Sequence, residues 1–203
     1  MAETDAPQIY LVSPPAFELS RFPGDLARVL DARPVACVRL ALATRDEDRL
    51  IRAADALREV TTPRDVALVM SEHVGLAERL GLDGVHLDGT RGVRAARSAL
   101  GADAIVGAFC GASRHDAMVA GESGADYVAL GPLTGSALGD GQVAASELFQ
   151  WWTEMMELPV VAEGGLTEDT VRGLWDDVDF FAVGEEIWAS DDPVSALDAL
   201  VPR

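Results

Sequence analysis

Acidic side chains follow two consecutive apolar runs of the sequence and could together hold a divalent cation. Glu72 comes just after Val66–Met70, and Asp88 comes just after Gly84–Leu87. If the two runs are adjacent strands of a parallel sheet, about 4.8 Å separates them and both carboxylates emerge at one edge. Two carboxylates and the oxygens of a phosphorylated ligand make a typical Mg²⁺ site. Alternatively, both residues are solvated acids among the 34 acidic residues of the chain.

Glycines follow two later apolar runs and could bind an anion. Gly164 and Gly165 come after the seventh run, and Gly184 comes after the eighth. Glycine leaves backbone N–H groups accessible at the start of a following helix, which favours phosphate binding. The alternative is that these glycines only permit tight turns. Glu185 and Glu186 follow Gly184 directly, and a carboxylate beside a phosphate dianion is unfavourable unless it points away.

Other titratable residues near the ends of apolar runs have two interpretations each. Arg39 lies in an otherwise apolar run, so we expect it either to clamp an anion or to pair with Glu72. His86 is either a core histidine or a ligand-binding residue. His115 is either a surface residue or an acid/base group, and nothing in the sequence activates Cys110 as a nucleophile.

Eight short apolar runs alternate with eight stretches of helical spacing along the chain. This alternation predicts an α/β fold with a parallel sheet that is covered on both faces. An open, doubly wound sheet satisfies the same pattern, but Ser13-Pro14-Pro15 stands where a dinucleotide-binding glycine turn would follow the first strand. We therefore expect a single (β/α)8 TIM barrel over residues 1–203, with its site at the carboxyl ends of the strands. The predicted strands are Ile9–Val12, Val35–Leu40, Val66–Met70, Gly84–Leu87, Ala104–Phe109, Tyr127–Leu130, Val160–Ala162 and Phe180–Val183.

Local signals mark the boundaries of the helices between these strands. The predicted helix starts carry a capping hydroxyl or a proline, and the predicted helix ends carry a glycine. The capping residues are Ser113 and Thr167, the proline is Pro193, and the glycines are Gly81, Gly101 and Gly124.

The charge balance limits the partners that this chain can bind. With 16 basic and 34 acidic residues the net charge is −18, which disfavours nucleic acid and anionic membranes. No apolar run approaches the roughly 20 residues needed to span a bilayer. Met1–Gln8 carries two acids and no base, unlike a signal peptide, and two cysteines are too few for a disulfide framework, so we expect a cytoplasmic protein. The residues leave open whether it forms a homo-oligomer.

Three segments of the chain, in this order and spacing, resemble thiamine phosphate synthases and the related thiazole tautomerase group. The resemblance implies a TIM barrel that joins a hydroxymethylpyrimidine pyrophosphate to a thiazole phosphate, uses Mg²⁺ and releases pyrophosphate. It also implies a small phosphorylated ligand as the partner. The segments are Asp83-Gly84-Val85-His86-Leu87, Gly124-Ala125-Asp126-Tyr127-Val128 with Gly131-Pro132, and Pro159-Val160-Val161-Ala162 with Gly164-Gly165-Leu166-Thr167.

The same resemblance assigns site residues and shows where this chain departs from the family. It implies catalytic roles for Arg39 and Glu72, metal ligation by Glu72 and Asp88, and phosphate binding by Gly164, Gly165, Gly184 and Ser136. The departures replace two lysines and one metal ligand of the family pattern and put acids after the last strand. They are Ala41, Gly139, Arg91 and the Glu185-Glu186 pair.

Three functions fit these residues. The first is a thiamine phosphate synthase with a rearranged metal and anion site. The second is a metal-independent enzyme that acts on a thiazole phosphate with Glu72, Glu163 or His115 as its acid/base group. The third is a binding or regulatory barrel that has lost catalysis, because fold alone does not determine function.

Overall fold

The computed structural model describes residues 6–135 and 138–202 as one closed barrel of eight parallel strands. Each strand pairs with the next in the chain, and β8 pairs with β1 through Ile9 opposite Phe181 and Tyr10 opposite Ala182. This closure confirms the predicted TIM barrel and excludes the open sheet. The strands are β1 Gln8–Val12, β2 Cys37–Leu40, β3 Ala67–Ser71, β4 Gly84–Leu87, β5 Ile105–Phe109, β6 Tyr127–Leu130, β7 Val160–Glu163 and β8 Phe180–Val183.

Helices connect the strands around the outside of the barrel. Ser113 and Thr167 cap their helices through side-chain oxygens, and Pro193 lies in a first turn, as predicted. No helix in the described ranges is long and apolar enough to cross a membrane. The helices are α1 Phe22–Ala32, α2 Glu47–Thr61, α3 Val74–Leu80, α4 Val93–Leu100, α5 Arg114–Glu122, α6 Ser146–Met155, α7 Glu168–Gly173, α8 Glu185–Trp188 and α9 Pro193–Leu200.

The short helix α8 was not predicted from the sequence. Its four residues form about one turn, which is too short for a helical spacing of apolar residues to show. Ile187 is nevertheless fully buried, and it holds the turn against the barrel. The chain after β8 therefore turns directly into a helix at Gly184, next to the loop that follows β7.

The barrel separates two hydrophobic cores. Alternate strand residues point outward and pack against the helices, and this larger core includes Leu11, Leu68 and Phe181. The intervening residues point into the barrel, where Tyr10, Val69, Phe109 and Tyr127 belong to a smaller cluster. The inner cluster supports the floor of the space at the carboxyl end of the strands.

Aspartates at the opposite end of the barrel hold neighbouring strands together. Asp83, Asp126 and Asp179 each precede a strand, and each carboxylate accepts a hydrogen bond from the backbone N–H of the strand before it. The donors are Leu68 for Asp83, Val106 for Asp126 and Val160 for Asp179, at 2.7, 2.7 and 2.8 Å. The first two aspartates therefore have the structural role that their place on the stability face indicates.

Candidate active site at the barrel mouth

A cavity of about 860 Å³ opens at the carboxyl ends of β2, β3, β4 and β7. We call it the mouth cavity, and its polar lining includes Arg39, Arg45, Glu72, His86, Asp88 and Glu163. This is the end at which enzymes of this architecture carry their active sites. The fold thus brings together Arg39, Glu72 and Asp88, the catalytic and metal-binding candidates from the sequence.

Glu72 and Asp88 are in direct contact at the rim of the mouth cavity. Glu72 Oε1 accepts a hydrogen bond of 2.5 Å from the backbone N–H of Asp88. Glu72 adopts a left-handed backbone conformation with φ of 64°, which is uncommon outside glycine and frequent at functional sites. Burial and the neighbouring Glu72 carboxylate raise the pKa of Asp88 above its usual value. Glu72 and Asp88 therefore lie next to each other at the rim of the mouth cavity.

Glu72 and Asp88 are the residues that could hold Mg²⁺ together with a phosphorylated ligand. Among residues 6–135 and 138–202, no three His, Cys, Asp or Glu side chains cluster closely enough to hold a metal ion by themselves. Mg²⁺ commonly takes one or two protein carboxylates and completes its shell with water and substrate phosphate. Glu72 and Asp88 fit that arrangement, because a cation between them would also relieve the repulsion that raises the pKa of Asp88.

Arg39 pairs with Glu163 across the barrel, not with Glu72. Both guanidinium nitrogens Nη1 and Nη2 donate to the Glu163 carboxylate, the first at 3.1 Å, and each side chain is 7% exposed. Burial lowers the pKa of Arg39, but the charge of Glu163 outweighs it and the pKa is raised. The pairing with Glu72 was wrong because the side chain of Arg39 points into the barrel, where β7 ends opposite. Most of the charge of Arg39 is therefore already neutralised within the protein.

A neutral hydrogen-bonded network lies beneath this ion pair. His86 Nδ1 is 2.9 Å from the hydroxyl of Tyr127, which is 2.8 Å from the hydroxyl of Tyr10. Burial and the charge of Arg39 hold the pKa of His86 well below its usual value, so the imidazole is neutral at pH 7. Its Nε2 atom lies 3.9 Å from the Glu163 carboxylate. His86 is thus a core histidine with satisfied partners that also lines the cavity floor.

The glycine loops after β7 and β8 lie side by side, as predicted, but a side chain of the protein already occupies them. Gly164 and Gly165 have φ of 86° and 71°, conformations that glycine adopts without strain. Glu186 Oε2 accepts a hydrogen bond from the N–H of Gly184 at 2.9 Å, and its Oε1 accepts one from Leu166 at 3.2 Å. We call the N–H groups of Leu166 and Gly184 the anion cup. Its occupant in the structure is the carboxylate of Glu186.

The remaining sequence candidates lie away from the mouth cavity. His115 is exposed on α5 and does not line the cavity. Cys110 is buried, and burial raises the pKa of its thiol to about 12, so it is a poor nucleophile at neutral pH. Arg91 is exposed and lines an adjacent cavity of about 400 Å³ that shares Asp88 with the mouth cavity. Ser136 lies outside the described residues.

Sequence reasoning missed three residues of this site. Tyr10 and Tyr127 lie in the barrel interior. The sequence feature that could have identified them is a tyrosine in a run of otherwise aliphatic strand residues. Arg45, in the loop after β2, lines the mouth cavity and forms no ion pair within the described part of the chain. No local signal distinguishes Arg45, because it stands in the charged run Arg45-Asp46-Glu47-Asp48.

Comparisons with known proteins agree with this architecture. The family model described as thiamine monophosphate synthase matches residues 9–187. The chain is 45% identical over 184 residues to the thiamine-phosphate synthase of Rhodospirillum centenum, and the match covers 89% of each protein. It is 40% identical over 200 residues to the thiamine-phosphate synthase of Erythrobacter litoralis, and this match covers 95% of this chain and 93% of the relative. The solved structure of thiamine phosphate pyrophosphorylase from Pyrococcus furiosus superposes with a TM-score of 0.81 at 24% identity, over 95% of this chain and 93% of that one, which shows the shared fold. The chain therefore belongs to the thiamine monophosphate synthase family and to thiamine biosynthesis.

Proposed function

We propose that this protein is a working thiamine phosphate synthase whose active site is the mouth cavity. It joins a hydroxymethylpyrimidine pyrophosphate to a thiazole phosphate and releases pyrophosphate. The observation that carries the proposal is the identity of 45% over 89% of both chains to a protein named thiamine-phosphate synthase. The mouth cavity, with the carboxylate of Glu72 bound to the backbone of Asp88 at its rim, supplies a site of matching chemistry.

The protein's task in this reaction is to steady a leaving pyrophosphate. Glu72 and Asp88 would hold Mg²⁺ together with pyrophosphate oxygens, and the ion would supply positive charge to the leaving group. Arg45 and Arg91 flank the two carboxylates from the loops after β2 and β4 and have no ion pair in the described ranges. These two arginines are the cations available to replace the lysines that the family pattern has and this chain lacks.

The floor of the mouth cavity, formed by Arg39, Glu163 and His86, orients the substrate but supplies no net positive charge. Arg39 and Glu163 neutralise each other, and His86 is neutral. A floor of this kind accommodates an uncharged ring at low desolvation cost while the charged groups act at the rim. Arg39 thus contributes hydrogen bonding and shape more than free positive charge.

The thiazole phosphate binds through the loops after β7 and β8 in this proposal. Gly164, Gly165 and Gly184 keep these loops close enough to present N–H groups to a phosphate. The resemblance also assigns phosphate binding to Ser136. The small phosphorylated ligand and the two buried, free cysteines Cys37 and Cys110 suit a cytoplasmic enzyme.

The proposal is tested by assaying the purified chain with both phosphorylated precursors and Mg²⁺, with thiamine phosphate and pyrophosphate as measured products. We expect turnover that EDTA abolishes, and a loss of at least about a hundredfold in Glu72→Gln. The matched control is Asp103→Asn, which removes an exposed acid before β5 at the opposite barrel end. Absence of product from the folded wild-type protein at saturating substrates would refute the proposal.

A second candidate is a barrel that binds phosphorylated ligands without catalysis. One observation favours it: Glu163 neutralises Arg39, the cation to which the resemblance gives a catalytic role. This candidate predicts that a thiazole phosphate raises the melting temperature in the same preparation that shows no turnover. Measurable turnover by the wild-type protein excludes it.

A further inference from the structure

We propose that Glu186 is a built-in competitor for the anion cup, and that it sets how strongly the cup binds phosphate. The inference rests on the proposed function in one respect, namely that the cup receives a substrate phosphate. It concerns the turn Gly184-Glu185-Glu186, where the family pattern has a serine-containing turn. The Glu186 carboxylate and a ligand phosphate would bind the same two N–H groups and exclude each other.

The hydrogen bonds of Glu186 carry this inference. Its two carboxylate oxygens accept from two different loops, Oε2 from Gly184 after β8 and Oε1 from Leu166 after β7. Both donors belong to residues that are buried, whereas Glu186 itself is half-buried and can turn outward. A carboxylate that accepts two backbone N–H groups reproduces two of the contacts of a bound phosphate.

Gly164 and Gly165, in the loop next to the cup, have little free space around them. A Cβ atom on Gly165 would lie 2.1 Å from Thr134 Oγ1, and one on Gly164 would lie 2.7 Å from Leu138 Cδ2. The loop after β7 is therefore tightly packed against Thr134 and Leu138. A phosphate can reach the two N–H groups only by taking the place of the carboxylate.

Charge makes the two occupants mutually exclusive. A phosphate dianion next to an ionised Glu186 meets a like charge at short range, which is unfavourable in a partly buried site. Glu186 must therefore rotate away before the phosphate of a ligand enters. This cost is the same for every phosphate that enters, so Glu186 weakens phosphate binding without changing the preference of the cup for one phosphate over another.

The test compares the binding of inorganic phosphate to the wild-type protein, Glu186→Gln and Glu186→Ala by calorimetry at low ionic strength and without Mg²⁺. We expect both variants to bind phosphate at least about tenfold more tightly than the wild type. Glu185→Gln is the matched control, since Glu185 is exposed and both N–H groups of the cup donate to Glu186 instead, and its affinity should stay within about twofold of wild type. Unchanged phosphate affinity in both Glu186 variants would overturn the inference.

A second measurement keeps the inference falsifiable if the variants fold poorly. In the ¹⁵N-labelled wild-type protein, phosphate at high concentration should shift the amide resonances of both Leu166 and Gly184, because it replaces their common acceptor. Phosphate that shifts neither resonance contradicts the inference. These outcomes are separate from the synthase assay: absence of turnover refutes the proposed function, whereas the affinity comparison tests Glu186 even in an inactive barrel.

Discussion

Replacing Glu163 with glutamine should destabilise this protein far more than any removal of a surface charge. Glu163 is the ion-pair partner of Arg39, and both side chains are 7% exposed. Glutamine keeps the size of the side chain but leaves the guanidinium buried without a counter-ion. Arg39 Nε already lacks a hydrogen-bond partner among the described residues, so the barrel interior offers Arg39 no alternative acceptor there.

The expected loss follows from the burial of the pair. Breaking a buried ion pair by removing one partner costs about 3–5 kcal/mol. In a domain of about 200 residues each kcal/mol lowers the melting temperature by about 2–4 °C, so Glu163→Gln should melt roughly 6–20 °C below wild type. Replacing both partners, as Arg39→Met with Glu163→Leu, should recover most of the loss, because an apolar pair of similar volume carries no unpaired charge.

Urea unfolding and thermal melting at pH 7, followed by circular dichroism, measure these differences. The control is Asp169→Asn, which breaks the ion pair with Arg172, whose two side chains are 93% and 75% exposed. An exposed pair contributes at most about 1 kcal/mol, so this control should unfold like the wild type. The reasoning is refuted if Glu163→Gln stays within about 1 kcal/mol of wild type, or if the double replacement is no more stable than the single one.

Two further predictions concern the rim carboxylates and the glycine loop. Burial and the neighbouring Glu72 carboxylate raise the pKa of Asp88 in the folded protein, so ionisation of Asp88 disfavours the folded state. The stability that protonated Asp88 contributes is therefore complete below its unfolded pKa of about 3.9. It is lost as the pH rises through the pKa of Asp88 in the folded protein. Without Mg²⁺, Asp88→Asn should therefore melt above wild type at pH 7 but not at pH 3.5; a lower melting temperature at pH 7 would contradict this. Gly165→Ala places a Cβ 2.1 Å from Thr134 Oγ1 at φ of 71° and should lose about 1–3 kcal/mol in urea unfolding. Gly173→Ala, whose Cβ would meet nothing within 4 Å, is its control, and equal stability of the two variants would argue against strain in the loop.

Most of the fold is predictable from the sequence because its determinants are local. Each strand is an apolar run, and the capping side chains of Ser113 and Thr167 act within three residues of themselves. Gly81 ends α3 in a left-handed conformation, as expected for a glycine after a helix. Strand boundaries differ from the prediction by at most two residues, and the largest difference is at β2, which begins at Cys37 and not at Val35.

The location of the site is also predictable, and for a topological reason. Once eight parallel strands close, every residue that follows a strand lies at one end of the barrel. Glu72 and Asp88 follow adjacent strands, so their contact required only the order of the strands. The glycine loops after β7 and β8 are neighbours for the same reason.

Only the tertiary structure decided which charges neutralise one another. Arg39 and Glu163 are 124 residues apart and meet because β2 and β7 point their side chains into the same narrow barrel. The contact of Glu186 with Leu166 depends on the turn of α8, which is too short to leave a pattern in the sequence. The sequence alone determined a barrel with candidate metal-binding and anion-binding loops. The three-dimensional packing determined that two of its candidate anion-binding groups, Arg39 and the anion cup, already hold carboxylates of the chain itself. Such pairings depend on side-chain direction and on distance across the fold.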